Sequence, residues 1–238
     1  LNKKILVNGT DFFTTTAGNR NKLPAVVLES GYGDDSGTWD PVVHSLSQLT
    51  KVFTYDRAGL GRSGPPPEGS RTSRDMVAEL KELLEHSSVE PPFVLVGHSF
   101  GGVNAQLYAA AYPDDVCGLL LVDATPGDYR ERFLPLMPEA FREAYHRQFT
   151  LEINDEEFGD SLRQLQGAAL KQDLPITVLS AGKKDHYSQE AQALWHTMQK
   201  EMAGNSAASS FEIAENSGHY IHKDEPELVV RAVRKLVT

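Results

Sequence analysis

Phe93-Val94-Leu95-Val96-Gly97-His98-Ser99-Phe100-Gly101-Gly102-Val103-Asn104-Ala105-Gln106-Leu107-Tyr108-Ala109 is the stretch that decides the fold. Its first four residues are apolar and β-prone, and its last seven are rich in helix formers. Between them lies Gly-x-Ser-x-Gly. Alone that pattern is weak: three fixed small residues recur by chance in roughly one chain in ten of this length. A glycine-rich turn is the plain alternative. A strand before the pattern and a helix after it change its weight. In that setting the chain bends sharply at Ser99, which leaves the hydroxyl clear of the sheet edge and turns the first N–H groups of the new helix towards it. Gly97 and Gly101 are expected there because a Cβ at either would meet the neighbouring strand or helix.

The 238 residues suit one sizeable domain, or one domain carrying an insertion, with ample core. Apolar residues make up 40% and charged residues 24%, as in ordinary soluble globular proteins. The net charge of −10 argues against a nucleic acid or an anionic membrane as partner, since both demand basic patches. The single cysteine, Cys117, excludes an internal disulfide and a cysteine-based metal site, and reads as a small core residue. No run approaches the ~20 apolar residues of a membrane helix. Leu1 to Gly9 is too polar for a signal peptide. The first residue is not methionine, so an upstream segment is compatible with the sequence, and a cytoplasmic location is the default expectation.

Along the chain, Asn8-Gly9 between Ile5-Leu6-Val7 and Asp11-Phe12-Phe13-Thr14 predicts a hairpin. Ala25-Val26-Val27-Leu28 predicts a strand buried on both faces. A glycine-rich loop, Ser30-Gly31-Tyr32-Gly33, follows, and then helical spacing at Trp39, Val43, Leu46 and Leu49. Val52-Phe53-Thr54-Tyr55 predicts the next strand. Met76, Val77, Leu80, Leu83 and Leu84 predict an amphipathic helix with Thr72 or Ser73 as its cap. Leu119 to Val122 is a further strand, ending at Asp123. Residues 126 to 170 then break the rhythm: no strand is evident, and two amphipathic helices are expected near 141–149 and 158–169. Strand Ile176 to Leu179, a helix near 189–202, strand Phe211 to Ala214 and a helix over 226–237 complete the chain. Strands separated by helices imply a parallel sheet covered on both faces, with its site at the carboxyl ends of the strands. The helical segment would sit over that edge as a lid.

A serine becomes a nucleophile when a base takes its proton, and histidine held by a carboxylate is the usual base. Of eight histidines, His44, His86, His146 and His196 fall in predicted helices. His98 adjoins the serine but points elsewhere from the turn. His186 follows a carboxylate directly. His219, after Gly218 and the last strand, is the expected base. His219 and His222 have a spacing a metal could use, but no cysteine and no clear third ligand accompany them. Two carboxylates compete to hold His219. Asp185, in Gly182-Lys183-Lys184-Asp185, is favoured because Gly182 lets the chain turn. Asp123 is the alternative, with a competing structural role at the start of the insertion. Both give the chain order serine, acid, histidine. The backbone N–H groups of Phe100 and Tyr32 are the expected oxyanion donors.

Together Gly97-His98-Ser99-Phe100-Gly101-Gly102, Asp56-Arg57-Ala58-Gly59-Leu60-Gly61-Arg62-Ser63, Gly182 to Asp185 and Gly218-His219 resemble the α/β-hydrolase fold superfamily, of the esterase and lipase-like kind with a small cap. Ser30-Gly31 departs from the His-Gly that many relatives carry in the oxyanion loop. The resemblance implies a mostly parallel eight-stranded sheet flanked by helices. The core would comprise residues 1–125 and 171–238, with a helical cap over 126–170. It implies a carboxylic ester hydrolase acting on a small-molecule ester through Ser99, Asp185 and His219, with no metal and no organic cofactor required. Phe133, Leu134, Leu136, Met137, Phe141 and Tyr145 are the expected apolar lining of the substrate pocket; packing of the cap onto the core is the equal alternative. Lactone, peroxy-acid or carbon–carbon hydrolysis on the same residues, or a ligand receptor on a hydrolase scaffold, are the other readings. Sequence leaves monomer or homodimer open.

Overall fold

The structure, a computed structural model, describes residues 1–19, 22–204 and 207–238. Among them, eight strands form one sheet in the order β1-β2-β4-β3-β5-β6-β7-β8. The strands are β1 (Asn2–Val7), β2 (Thr10–Ala17), β3 (Ala25–Glu29), β4 (Val52–Tyr55), β5 (Phe93–His98), β6 (Val116–Val122), β7 (Ile176–Ala181) and β8 (Ser210–Ala214). β2 pairs antiparallel with both β1 and β4, and the pairings from β4 to β8 are all parallel. Asn8 and Gly9, both at positive φ, make the predicted hairpin turn between β1 and β2.

The helices are α1 (Asp40–Ser47), α2 (Ser73–His86), α3 (Phe100–Ala111), α4 (Glu139–Arg147), α5 (Asp155–Gln166), α6 (Gln189–Ala203), α7 (Ile221–Asp224) and α8 (Pro226–Val237). They cover both faces, which is why β3, β4 and β5 are buried at every position. One apolar layer packs Phe53, Leu80, Leu95, Phe100 and Leu121 beneath α2 and α3. The opposite layer packs Trp39, Val42, Val94, Leu120 and Val233 beneath α1 and α8. Thr72 caps α2 through a reciprocal pair of bonds with Asp75. No helix of the described residues is long and apolar enough to cross a membrane.

Two features place the site. The sheet order doubles back between β3 and β5, which opens a crevice beyond their carboxyl ends. Between β6 and β7 the chain leaves the sheet for a π-helical turn (Tyr129–Phe133), a 3-10 turn (Leu134–Leu136), α4 and α5. That insertion is fastened over the crevice by polar contacts. Arg57, buried after β4, bonds Glu152 of the insertion through Nε at 2.6 Å and Nη2 at 2.7 Å, and Glu29 at the end of β3 through Nη1 at 3.0 Å. It also donates to the carbonyls of Ser30 and Gly31. Tyr55 donates its phenolic proton to Glu29.

Candidate active site

Ser99 sits between β5 and α3 at φ 52° and ψ −120°, a conformation that a non-glycine residue adopts only under constraint. The constraint is steric and local. A Cβ on Gly97 would stand 2.5 Å from the Gly101 carbonyl oxygen, and one on Gly101 would run into the carbonyls of Glu29 and Ser30. The sharp bend therefore needs both glycines. As the first residue of α3, Phe100 has no carbonyl one turn earlier for its N–H to bond.

His219 lies in the loop after β8. The residue before Ser99 holds it in place: His98 Nε2 is 2.9 Å from the His219 carbonyl, so Nε2 carries the proton. Ser99, Phe100, Tyr32 and His219 line one cavity of about 480 Å³. His98 and His222 are fully buried around His219. Burial, then the neighbouring charges, hold both neutral: His98 is driven far below the usual histidine range, and His222 down to about 3. His222 is turned away from the cavity, with Nε2 3.0 Å from Thr38 Oγ1 and its ring against Trp39.

The carboxylate that meets His219 is Asp123, and here the expectation of Asp185 fails. Asp123 Oδ2 lies 2.6 Å from His219 Nδ1. The competing role for Asp123 fails too: its side-chain partners lie on β7, on α6 and in the loops after β7 and β8, not at the start of the insertion. Oδ1 accepts the Ala181 N–H at 2.9 Å and the Trp195 indole N–H at 2.7 Å. Oδ2 also accepts from Lys184 Nζ at 2.7 Å. Burial alone would raise the Asp123 pKa. The Lys184 charge, then the bond and charge of His219, overcome it and hold the carboxyl far below the usual range. The loop after β7 explains the miss. The Gly182 N–H bonds the Ala214 carbonyl and the Lys183 N–H bonds the Ser217 carbonyl, which fixes the turn one residue out of the expected phase. Lys184 points inwards and Asp185 is exposed at the cavity rim.

A signal for Asp123 exists in its backbone, though not in its sequence motif. It follows β6 at φ 43°, a second strained residue beside the first. Val122 is in register with His98 on the adjacent strand, so Ser99 and Asp123 end neighbouring strands at one level.

The lining of the cavity is only partly as expected. Phe141 and Tyr145 contribute to it. Phe133, Leu134 and Met137 are instead buried in the core cluster, and Leu136 is exposed on the surface. The rings that sequence reasoning missed are Tyr129, Phe149, Phe158, Tyr187 and Trp195. Phe158 stacks on Phe100 at 4.8 Å and packs against Phe149 at 4.3 Å. The loop around Tyr32 is tied to the same wall. The Tyr32 hydroxyl donates to the Ile153 carbonyl at 2.8 Å and accepts the Leu151 N–H at 3.0 Å.

A family model described as the alpha/beta hydrolase family matches residues 26–232. The chain belongs to the alpha/beta hydrolase family. It is 32% identical over 235 residues to the uncharacterised protein YqjL of Bacillus subtilis, covering 98% of this chain and 90% of that one. It is 34% identical over 124 residues to the human (lyso)-N-acylphosphatidylethanolamine lipase, covering 50% of this hydrolase-family chain but only 35% of the lipase. A thermophilic esterase from Thermogutta terrifontis superposes over the full length of both chains, with a TM-score of 0.67 and 23% identity, a likeness of fold.

Proposed function

We propose that this chain is a serine hydrolase that cleaves carboxylic esters through an acyl-enzyme, with Ser99 as nucleophile, His219 as base and Asp123 in the place expected of Asp185. The observation that carries the reading is the 2.6 Å contact between His219 Nδ1 and buried Asp123, made by a histidine that shares its cavity with a strained serine. With Nδ1–H donated to Asp123, the lone pair of His219 is on Nε2, the nitrogen that must receive the serine proton.

In this reading Ser99 Oγ attacks the acyl carbonyl carbon while its proton passes to His219 Nε2. The N–H groups of Phe100 and Tyr32 hold the oxyanion that forms. Collapse expels the alcohol, which leaves with the proton from His219. Water then attacks the acyl-enzyme with His219 again as base, and Ser99 is released. Residues 126–170 act as a cap on a core of 1–125 and 171–238, and bring Phe141, Tyr145, Phe149 and Phe158 to the cavity. A wall of aromatic rings suits an ester with a flat apolar group on one side of the bond.

The test is labelling with a fluorophosphonate probe followed by peptide mass spectrometry, paired with turnover of a short-chain p-nitrophenyl ester. The adduct is expected on Ser99, and Ser99→Ala is expected to abolish both labelling and turnover. A Ser99→Ala protein that keeps most of its esterase activity refutes the proposal.

A further inference from the structure

Lys184 is a buried ammonium group beside the candidate base and has no role in the steps above. Its Nζ lies 2.7 Å from Asp123 Oδ2, the same oxygen that is 2.6 Å from His219 Nδ1. It also sits 3.9 Å from the ring centre of Trp195 and 4.9 Å from that of Tyr187. Its side chain is only 4% exposed. Two aromatic faces and a carboxylate together favour the charged amine against burial, which lowers its pKa.

We propose that Lys184 is a positioning residue that neutralises Asp123, so that ester hydrolysis persists in more acidic solution than an unpaired carboxylate would permit. The inference rests on the triad proposed above. An unpaired carboxylate stabilises the imidazolium form of its histidine. Here the carboxylate is half of an ion pair, and the ammonium and the imidazolium would share one oxygen. The cation at Lys184 therefore opposes a second cation at His219.

Among the described residues, the other titratable groups beside His219 are Asp34 from the loop after β3, His98 from β5, His186 from the loop after β7, and Tyr220 and His222 that follow it in the chain, with Lys223 acting on Asp34 and His222. His98 and His222 are held neutral. Lys184 thus supplies the buried positive charge bonded to the acid itself.

The experiment is the pH dependence of kcat/KM for phenyl acetate, with phenol quantified chromatographically so that detection does not vary with pH. The acidic limb of that profile reports the base of the free enzyme. Lys184→Met removes the cation, so the limb is expected to move to higher pH by about one unit or more. Lys184→Arg keeps a cation on Asp123 and is expected to return the limb towards its original position. A folded Lys184→Met protein whose limb stays within about 0.3 unit of the parent overturns the proposal. If Lys184→Met does not fold, Lys184→Gln, which keeps a donor for Asp123 without the charge, gives the same reading in the same two directions. A lysine that merely plugs the loop to the sheet would lower stability without moving the limb. Fluorophosphonate labelling of Ser99 in each variant separates the two ideas: absent labelling in the parent defeats the triad, and labelling with an unmoved limb defeats only the role of Lys184.

Discussion

Replacing Asp123 by asparagine keeps the shape of the side chain and inverts one end of its hydrogen-bonding character. All four groups around Asp123 are donors: the Ala181 N–H and Trp195 indole on Oδ1, and His219 Nδ1–H and Lys184 Nζ on Oδ2. The amide NH2 of asparagine must therefore face two donors whichever way it is turned. If it faces His219, the imidazole is driven to the tautomer with its proton on Nε2, where it can no longer accept from Ser99. The loss of kcat is expected to be ~10⁴, the size seen when a buried triad carboxylate becomes an amide, or about 5.5 kcal/mol of transition-state stabilisation. The same change leaves Lys184 buried without its counter-ion, so stability should fall by about 3–5 kcal/mol. Asp185→Asn, on an exposed side chain, should cost less than about tenfold in kcat/KM. The assay is steady-state hydrolysis of a short-chain ester beside thermal unfolding followed by circular dichroism. Full activity in a folded Asp123→Asn protein, or a collapse of turnover in Asp185→Asn, would refute the assignment of Asp123.

Glu152→Gln should loosen the attachment of the insertion to the core. Arg57 keeps Glu29 but loses a charged partner bonded at 2.6 and 2.7 Å, a cost of about 2–3 kcal/mol, or roughly 5–10 °C in thermal midpoint. Because Gly33 N–H also bonds Glu152, KM for an aromatic ester should rise with it; an unchanged midpoint and KM would show that the ion pair is incidental. His222 gives a pH prediction. Its folded pKa of about 3 lies below the unfolded value of roughly 6.5, so its contribution is complete above that unfolded value. The contribution is lost as pH falls from there towards about 3, with a slope of up to ~1.4 kcal/mol per pH unit. Urea titrations across that window should show His222→Gln with a flatter pH dependence than the parent; equal slopes would mean that His222 is not held neutral in the fold.

What was legible in the sequence was what local chemistry controls. Continuous apolar runs such as Ala25–Leu28 and Leu119–Val122 announced strands with both faces covered, and Asn8-Gly9 announced its hairpin by its demand for positive φ. The bend at Ser99 was readable because its glycines are adjacent in sequence to the residue they serve. Which carboxylate meets His219 was not readable, because the choice between Asp123 and Asp185 depends on a turn fixed by non-local bonds, from Gly182 to Ala214 and from Lys183 to Ser217. A shift of one residue in that turn exchanges which of Lys184 and Asp185 faces inwards. The pocket was misread for a related reason. Phe133, Leu134 and Met137 have the right chemistry, but a π-helical turn and a 3-10 turn at 129–136 carry them under the insertion instead of to its open face.

The geometry also links two parts of the site that sequence treats as separate. The loop expected to supply an oxyanion N–H, around Tyr32, is held from two sides, beyond the bond from the Trp39 indole to Ser30 Oγ and the contact of the Tyr32 ring with Phe100. Its Ser30 and Gly31 carbonyls are gripped by Arg57, its Gly33 N–H by Glu152, and its Tyr32 hydroxyl by Leu151 and Ile153. Three consecutive residues of the insertion, 151 to 153, thus hold the loop from above while Arg57 holds it from below. An oxyanion hole works because its donors need not reorganise as charge develops. Under the proposed function that rigidity would be supplied from the helical insertion, so the segment that lines the cavity would also fix the donors. A change at Glu152 should for that reason reach kcat as well as KM, whereas a change at the cavity rings Phe149 or Phe158 should act first on KM.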